Sequence, residues 1–445
     1  MYFSYAQPFF NFQKLKLISQ KQSFTEGGTM LKKISMIAAA ILFSNTMLFA
    51  SGFSIYEHGA KATAMGGAFI AQANDVTSVF YNPAGITSLN GLQLGLGTTI
   101  IMPSFSFEGP TPLTTAKTDA EDNVFTPVHF YTTYQINEDL SAGFGFYSLF
   151  GLGSEWPDGW AGRQLATTSE VQTFFLNPVI AYNISKQLSV AVGVSLIFAN
   201  VSLERDVSMP PTPLFAASKL EGDATGFGYN IGLQFKATDE LTIGAVFRGN
   251  SLLEFKDGDV TFDIPTTGDP GTDALFQAAL PNTNGTAEIE LPTLIGFGIS
   301  YQFTDNLVAE FDWMQLGWSS YDELKVEYDA PVGGQTVSAV DRNYEDSYSL
   351  RFGLEYMINE QFAVRGGFLR DNKAVPDDYL EPTLPEGDRN LFSIGAGYTI
   401  NNLTIDAFFM LLQQDDRTIE TSEFGFNGTY KGGANLFGVS LGLGL

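Results

Sequence analysis

Apolar and polar residues alternate with a period of two through most of the chain beyond residue 90, the pattern of strands with two unlike faces. In "YSLRFGLEYMI", Tyr348, Leu350, Phe352, Leu354, Tyr356 and Ile358 share one face, and Ser349, Arg351, Gly353 and Glu355 share the other. "LSVAVGVSLIF" repeats this with Leu188, Val190, Val192, Val194, Leu196 and Phe198. In "EIELPTLIGFGISYQF" the rule places Ile289, Leu291, Ile295, Phe297, Ile299, Tyr301 and Phe303 together, opposite Glu288, Glu290, Gly296, Gly298, Ser300 and Gln302. A soluble sandwich also alternates. Three features favour a membrane barrel instead. The segments run well beyond the ~5–6 residues of an ordinary globular strand. Glycine and serine share the polar face with charges, as a water-facing lumen allows. Tyr134, Tyr182, Phe235, Tyr301, Tyr356 and Tyr398 stand at segment ends, where an aromatic girdle meets the membrane interface.

One hairpin recurs six times, in "YQINEDLSAGFGF", "YNISKQLSVAVGV", "FKATDELTIGAVF", "YQFTDNLVAEFDW", "YMINEQFAVRGGF" and "YTINNLTIDAFFM". Short turns therefore lie near residues 137, 185, 238, 305, 360 and 401. Polar loops lie near 109–124, 153–168, 206–221, 257–285, 329–344, 374–388 and 418–431. These thirteen connections join fourteen strands. The fold expected is all-β, a 14-stranded antiparallel transmembrane β-barrel spanning 91–445, closed because lipid cannot satisfy an open strand edge. Short turns then face the periplasm and long loops the outside. At "MINEQF" a three-residue loop pairs Ile358 with Phe362. That register sets Glu355 against Arg365, with Arg351 one step along the same lumen face.

The N-terminus changes the picture. Met30 opens "MLKKISMIAAAILFSNTMLFASG", in which Lys32 and Lys33 precede an apolar run from Ile34 to Phe49, interrupted by Ser44, Asn45 and Thr46, with Ala50 before the expected cut. Residues 30–50 read as a secretory signal peptide and 1–29 as an upstream extension. Composition then removes whole classes. The chain has no cysteine, two histidines (His58, His129) and a formal net charge of −26. A disulfide framework is impossible, no catalytic or metal-binding residues are expected, and nucleic acid is a poor partner.

Ser51–Asn90 does not alternate, yet carries Phe53, Ile55, Tyr56, Met65, Phe69, Ile70, Val76, Val79, Phe80 and Tyr81. That is too apolar for a solvated tail, so a hatch of short helices plugging the lumen is expected. Asp75 or Asn74 can cap a helical turn through Val79, and Asn82-Pro83-Ala84 should form a rigid turn.

"GAKATAMGGAFIAQANDVTSVFYNPAGIT" resembles the N-terminal hatch of the FadL/TodX-type family of outer-membrane transporters for long-chain fatty acids and other hydrophobic compounds. "GWAGRQ", "LNPVIAYNI", "WSSYDELKVEY" and "FLRDNKAVPDDYLEPTLPEGDRNLFSIGAGY" extend the likeness in order along the chain. The C-terminal Leu445 departs from the aromatic ending common in outer-membrane barrels.

The resemblance implies passive uptake of lipophilic molecules without cofactor: capture by extracellular loops, a lumenal pocket, then gating by the hatch and a kink in strand three. Candidate ligand contacts are Met209, Leu214 and Phe215 in one loop, and Phe262, Ile264, Leu275, Phe276 and Leu280 in another. "TDALFQAAL" suits a short helix capped by Thr272 or Asp273. Arg248, Arg351 and Arg365 face the lumen by parity, and Arg351 is the candidate for a ligand carboxylate. Candidate gating residues are Asn82, Pro83 and Ala84 with Gly143, Gly145 and Gly151. Expected partners are outer-membrane lipid, lipopolysaccharide and the assembly machinery, for a monomer. A general porin would not need the hatch, nor would a surface adhesin.

Overall fold

A computed structural model describes residues 52–445. The upstream extension, the signal peptide and Ser51 lie outside the described residues.

Twenty-one strand segments form one sheet. Five of its staves are interrupted, and the three-residue segments Lys117–Asp119 and Arg417–Ile419 pair with the upper ends of the first and last strands. What remains is a closed barrel of 14 antiparallel strands. In chain order these are β1 (Leu92–Glu108), β2 (Val128–Gln135), β3 (Leu140–Tyr147 and Gly151–Glu155), β4 (Thr168–Asn183) and β5 (Leu188–Ser208). Then come β6 (Phe215–Lys236), β7 (Leu241–Arg248 and Ser251–Asp263), β8 (Thr283–Leu291 and Leu294–Thr304), β9 (Leu307–Leu316 and Glu323–Val332) and β10 (Gln335–Asp341 and Ser347–Met357). Finally come β11 (Phe362–Asp371), β12 (Arg389–Ile400), β13 (Leu403–Gln414) and β14 (Gly428–Gly444). β14 pairs with β1 from Gln93↔Gly444 to Glu108↔Thr429 and closes the wall.

Four of the six repeated turns share one local cause. The side-chain oxygen of the first polar turn residue accepts backbone N–H groups two and three residues on, closing the hairpin. Asn137 takes those of Asp139 and Leu140 (both 2.9 Å), and Asn359 those of Gln361 and Phe362 (both 2.9 Å). Ser185 and Thr238 do the same with hydroxyls. The Asn359 turn sets the expected register: Ile358 N–H donates to Phe362 O at 2.8 Å, and Glu355 stands opposite Arg365.

The lower half of the wall is inside-out relative to a soluble protein. Phe297, Ile299, Leu354, Ile394 and Val439 are exposed on the outside, while Asp312, Arg351, Glu355 and Arg365 are buried inside. Tyr134, Tyr182, Phe235, Tyr356 and Tyr398 are exposed beside the short turns, as a girdle requires.

The upper half differs from the sequence reading. The 21 residues of β5 and 22 of β6 exceed the ~9–11 that cross a bilayer. The surplus stands in water, so facing reverses: Leu253, Phe255 and Val260 point inward while Glu254, Lys256 and Asp259 are exposed. β8 shows the switch within one stave. Ile289 and Leu291 are buried, yet beyond the break at Pro292-Thr293 it is Leu294 that is buried while Phe297 is exposed. Glu288 and Glu290 therefore do not share a face with Gly296 and Gly298. The expected loops at 206–221 and 329–344 are for the same reason mostly strand. β9 and β10 meet at Gly333-Gly334, both at positive φ (60° and 83°). Within the expected loop 257–285, a helix spans Pro270–Ala279, and Asp269 rather than Thr272 or Asp273 caps it by accepting the Thr272 N–H at 2.9 Å.

Candidate functional site: hatch, wall gap and cavities

Residues 52–90 comprise α1 (Ala60–Ala64), α2 (Ser78–Tyr81), a 3-10 turn (Pro83–Ser88) and connecting backbone. Asp75 Oδ1 accepts the Thr77 N–H at 2.7 Å ahead of α2. Asn82 accepts the Ala84 N–H (3.2 Å) and donates to Ile70 O (2.7 Å) and to Leu233 O on β6 (3.0 Å). One side chain thus ties the turn, the preceding loop and the wall together, while Pro83 opens the 3-10 turn.

The segment lies against the wall along two flat strips. Gln234, Gly244, Gly298 and Asp312 form one ladder row across β6 to β9. A Cβ at Gly298 would stand 2.9 Å from Ala71 N, so only glycine admits the backbone there. Gly353, Gly367 and Ser393 form the second row across β10 to β12. There Met65 O would meet a Gly353 Cβ at 2.6 Å, and Ser393 Oγ donates to Ala64 O (2.9 Å) and accepts the Gly66 N–H (3.0 Å).

β3 is kinked. Between the pairs Tyr147↔Phe175 and Gly151↔Gln172, the three residues 148–150 of β3 oppose the two residues 173–174 of β4. The surplus residue bulges inward, and Ser148, Leu149 and Phe150 are buried. The bulge grips the start of the hatch: Ile55 N–H donates to Leu149 O (2.7 Å) and Gly151 N–H to Phe53 O (2.9 Å). His58 Nε2 donates to Ser148 O (2.8 Å), and His129 Nε2 accepts the Gly59 N–H (3.2 Å). Next to the bulge the wall is thin. β2 has 8 residues beside a 17-residue β1, and above it a single bridge joins Ile101 to Phe125 before Lys117–Asp119 pairs with Ser106–Glu108.

A cavity of about 600 Å³ occupies this place, lined by Phe53 and Ile55 of the hatch, by Leu152 and Val171, and by Val124 and Phe174 at the outer side of the gap. A second cavity of about 190 Å³ lies in the upper lumen between Val201, Leu220, Phe255, Val260, Ile289 and Val326. The 372–388 loop folds over the lumen from outside. Trp156 and Ser154 bond Pro382 O and Thr383 O (both 3.1 Å), Gln414 bonds Pro385 O (2.9 Å), and Arg342 pairs with Glu381. Glu386 accepts the N–H groups of Ala374 and Val375 (both 2.6 Å). Burial pushes its carboxyl above the usual range against the pull of Arg389 and Arg417.

The expected ligand contacts are not brought together. Met209 is buried, Leu214, Phe215, Phe262, Ile264, Phe276 and Leu280 are half-buried, and Leu275 is 72% exposed. None of them lines either cavity. Phe215 instead lies under the Arg163 guanidinium, 4.2 Å from its ring centre. Arg351 is 1% exposed; it donates to Gly67 O (3.2 Å) and stacks 4.5 Å over Tyr56, so here it holds the hatch. Among the glycines, Gly143 faces Val79 and Ile86, Gly145 faces Tyr131 and Tyr147, and Gly151 faces Ile55. Sequence reasoning missed the cavity linings because they come from the upper staves. Their signal was present in the inverted facing of "LLEFKDGDV", where apolar residues alternate with charges.

A closed barrel with an apolar belt, a filled lumen and apolar cavities above and beside the filling defines an outer-membrane transport barrel. The chain belongs to the family of outer membrane protein transport proteins (OMPP1/FadL/TodX), whose model matches residues 41–443. It is 25% identical to the long-chain fatty acid transport protein of Escherichia coli O6:H1, over 95% of this chain and 99% of that one. It is 26% identical to a 47 kDa outer membrane protein of Pasteurella multocida, over 92% and 97%. Among solved structures, a Pseudomonas aeruginosa FadL homologue superposes with TM-score 0.77 at 19% identity, over 88% of this chain and 99% of that one. The Pseudomonas putida toluene transporter TodX superposes with TM-score 0.66 at 17% identity, over 90% and 100%.

Proposed function

We propose that the protein carries hydrophobic molecules passively across the outer membrane. Ligand arrives at the upper loops, where Leu275 and Phe276 of the exposed helix and Leu280 just past its end offer first contact. It settles in the upper cavity, passes the hatch as that segment shifts, and leaves sideways through the thin wall at the β3 bulge. The observation that carries this reading is the mostly apolar 600 Å³ cavity joining the hatch to the gap above β2, with Glu57, Glu170 and Arg389 also in its lining. A polar-solute pore has no use for an apolar chamber opening towards lipid. Fatty acids and aromatic hydrocarbons, named for relatives, both fit this chemistry. We assign no catalytic step. The barrel acts as a monomer in contact with lipid and lipopolysaccharide after insertion by the assembly machinery.

Proteoliposome uptake of an apolar fluorescent probe tests the reading. Val171→Trp fills the lateral cavity and Val260→Trp the upper one. Each should cut uptake about tenfold while the folded barrel persists. Undiminished uptake in both variants would show that the ligand takes another route.

A further inference from the structure

Two side chains of β9 hold the hatch by its backbone. Asp312 Oδ2 accepts the N–H groups of Phe69 (2.8 Å) and Ile70 (3.0 Å). Glu310 Oε1 accepts that of Ala71 (2.6 Å) and Oε2 that of Gln72 (2.8 Å). Four consecutive amides thus end on two carboxylates that stand two residues apart on one face of a strand. The same stretch is held on its carbonyl side, where Gln234 Nε2 donates to Ala71 O (2.8 Å) and Asn82 to Ile70 O (2.7 Å).

Glu310 and Asp312 are 1% and 0% exposed, and neither forms an ion pair among the described residues. Arg351 is the ladder partner of Asp312, but its guanidinium serves Gly67 O and Ser349 Oγ. A buried carboxylate is costly unless hydrogen-bonded donors surround it. Here the hatch supplies donors to both oxygens of Glu310 and to Oδ2 of Asp312, while Asp312 Oδ1 takes none among the described residues. If the wall only needed filling, neutral or apolar side chains would do it at lower cost.

Carboxylates suit a contact that has to open. When apolar packing separates, it exposes surface that water does not replace. A carboxylate that loses amide donors in a wetted lumen regains donors from water, and so do the freed amides. The docked and lifted states are then close in free energy, as a switching element requires. The clamp also reads only backbone, so it fixes the strap whatever side chains stand at 69–72.

We propose that Glu310 and Asp312 form a releasable clamp on the 69–72 backbone, and that this clamp sets the balance between closed and open hatch. Both are positioning residues and do not touch ligand. The proposal rests on the transport reading for its purpose, but its test needs no ligand.

The chain has no cysteine, so Ile70→Cys introduces a single thiol at a position 1% exposed. In the purified ligand-free protein, a water-soluble maleimide should label it slowly. Adding Glu310→Gln and Asp312→Asn should raise the labelling rate by about tenfold or more, since the pair loses its negative charge and one of the two amides held by residue 310 faces a carboxamide NH₂. Permeability to small polar solutes should rise with it. Arg342→Ala, which destabilises the outer loops without touching the strap, should leave the rate unchanged. If the double substitution does not fold, Glu310→Gln alone carries the test, because its two oxygens each hold a separate amide. An unchanged labelling rate in a folded variant overturns the clamp. Wild-type barrels that pass no apolar probe would overturn the transport reading and leave the labelling result standing.

Discussion

At the scale of single residues, the most exposed expectation was the Glu355–Arg365 pair. The register places them opposite, and Arg365 Nε lies 2.5 Å from Glu355. The sequence did not reveal the rest of the cluster. Arg365 Nη1 also meets Asp406 of β13 at 2.6 Å, and Lys61 of the hatch reaches Glu355 at 3.3 Å. Parity along two neighbouring strands finds a cross-strand pair. It cannot find a partner two staves away or one carried by the hatch, because those contacts depend on barrel closure. The closure changes the magnitude expected. A lone cross-strand pair contributes roughly 0.2–1 kcal/mol. Arg365→Ala would leave Glu355 and Asp406 buried with their shared cation removed, and breaking such a pair costs about 3 kcal/mol. Loss of the heat-resistant folded form should therefore occur at clearly lower temperature in Arg365→Ala. An unshifted transition would mean that lumen water already screens the cluster.

Whole elements were legible where a single environment acts along them. The lower staves alternate without fault between lipid and lumen, and six Asn, Ser or Thr turns mark their ends. The upper staves were misread as loops because their environment changes at the membrane edge. Past it, charges face out and apolar residues in, and "DVSMPPTPLFAASKLEG" reads as loop chemistry although β6 already begins at Phe215. The loop expected at 374–388 is a loop, but its descent over the lumen is not legible, since its anchors lie at β3, between the two parts of β10, on β13 and in the segment after β13. Arg417 of that segment donates to Glu386 O (3.1 Å) and Val375 O (2.9 Å) and pairs with Asp377. Hydrogen bonds from Lys373 and Arg417 hold the Asp377 carboxyl below the usual range in spite of partial burial. Glu386 behaves oppositely. Because burial raises its folded value, its share of loop stability is full below the ordinary glutamate range and is lost as pH rises through the raised value. Limited proteolysis should nick this loop faster at neutral pH than at mildly acidic pH, and Glu386→Gln should flatten that dependence. A nicking rate that tracks only the protease's own pH profile would show that Glu386 does not govern the loop.

For the molecule as a whole, the question is whether the hatch has to move. The fit of hatch to wall rests on glycines 298, 353 and 367, on Asn82 and on the Glu310–Asp312 clamp. None of these fits can be read from one strand, because each is a meeting of residues 52–90 with a distant stave. The structure offers a direct way to stop that motion. A Cβ built at Gly95 of β1 stands 3.5 Å from Val76 Cβ of the hatch, within the ~3.5–4.5 Å that a disulfide spans. Val76→Cys with Gly95→Cys should therefore cross-link hatch to wall, in a chain with no other thiol. Thr404→Cys with Gly442→Cys is the control: these ladder partners on β13 and β14, with Cβ positions 3.8 Å apart, join two staves that do not separate. Both oxidised proteins should keep the folded barrel. Uptake of an apolar probe into proteoliposomes should fall about tenfold or more in the oxidised 76–95 variant and recover on reduction. The 404–442 variant should transport equally well oxidised or reduced. If the locked hatch carries the probe at the unlocked rate, the path to the lateral cavity is open without movement of the hatch around residue 76, and the gate lies instead in the β3 bulge or in the segment that covers the gap above β2.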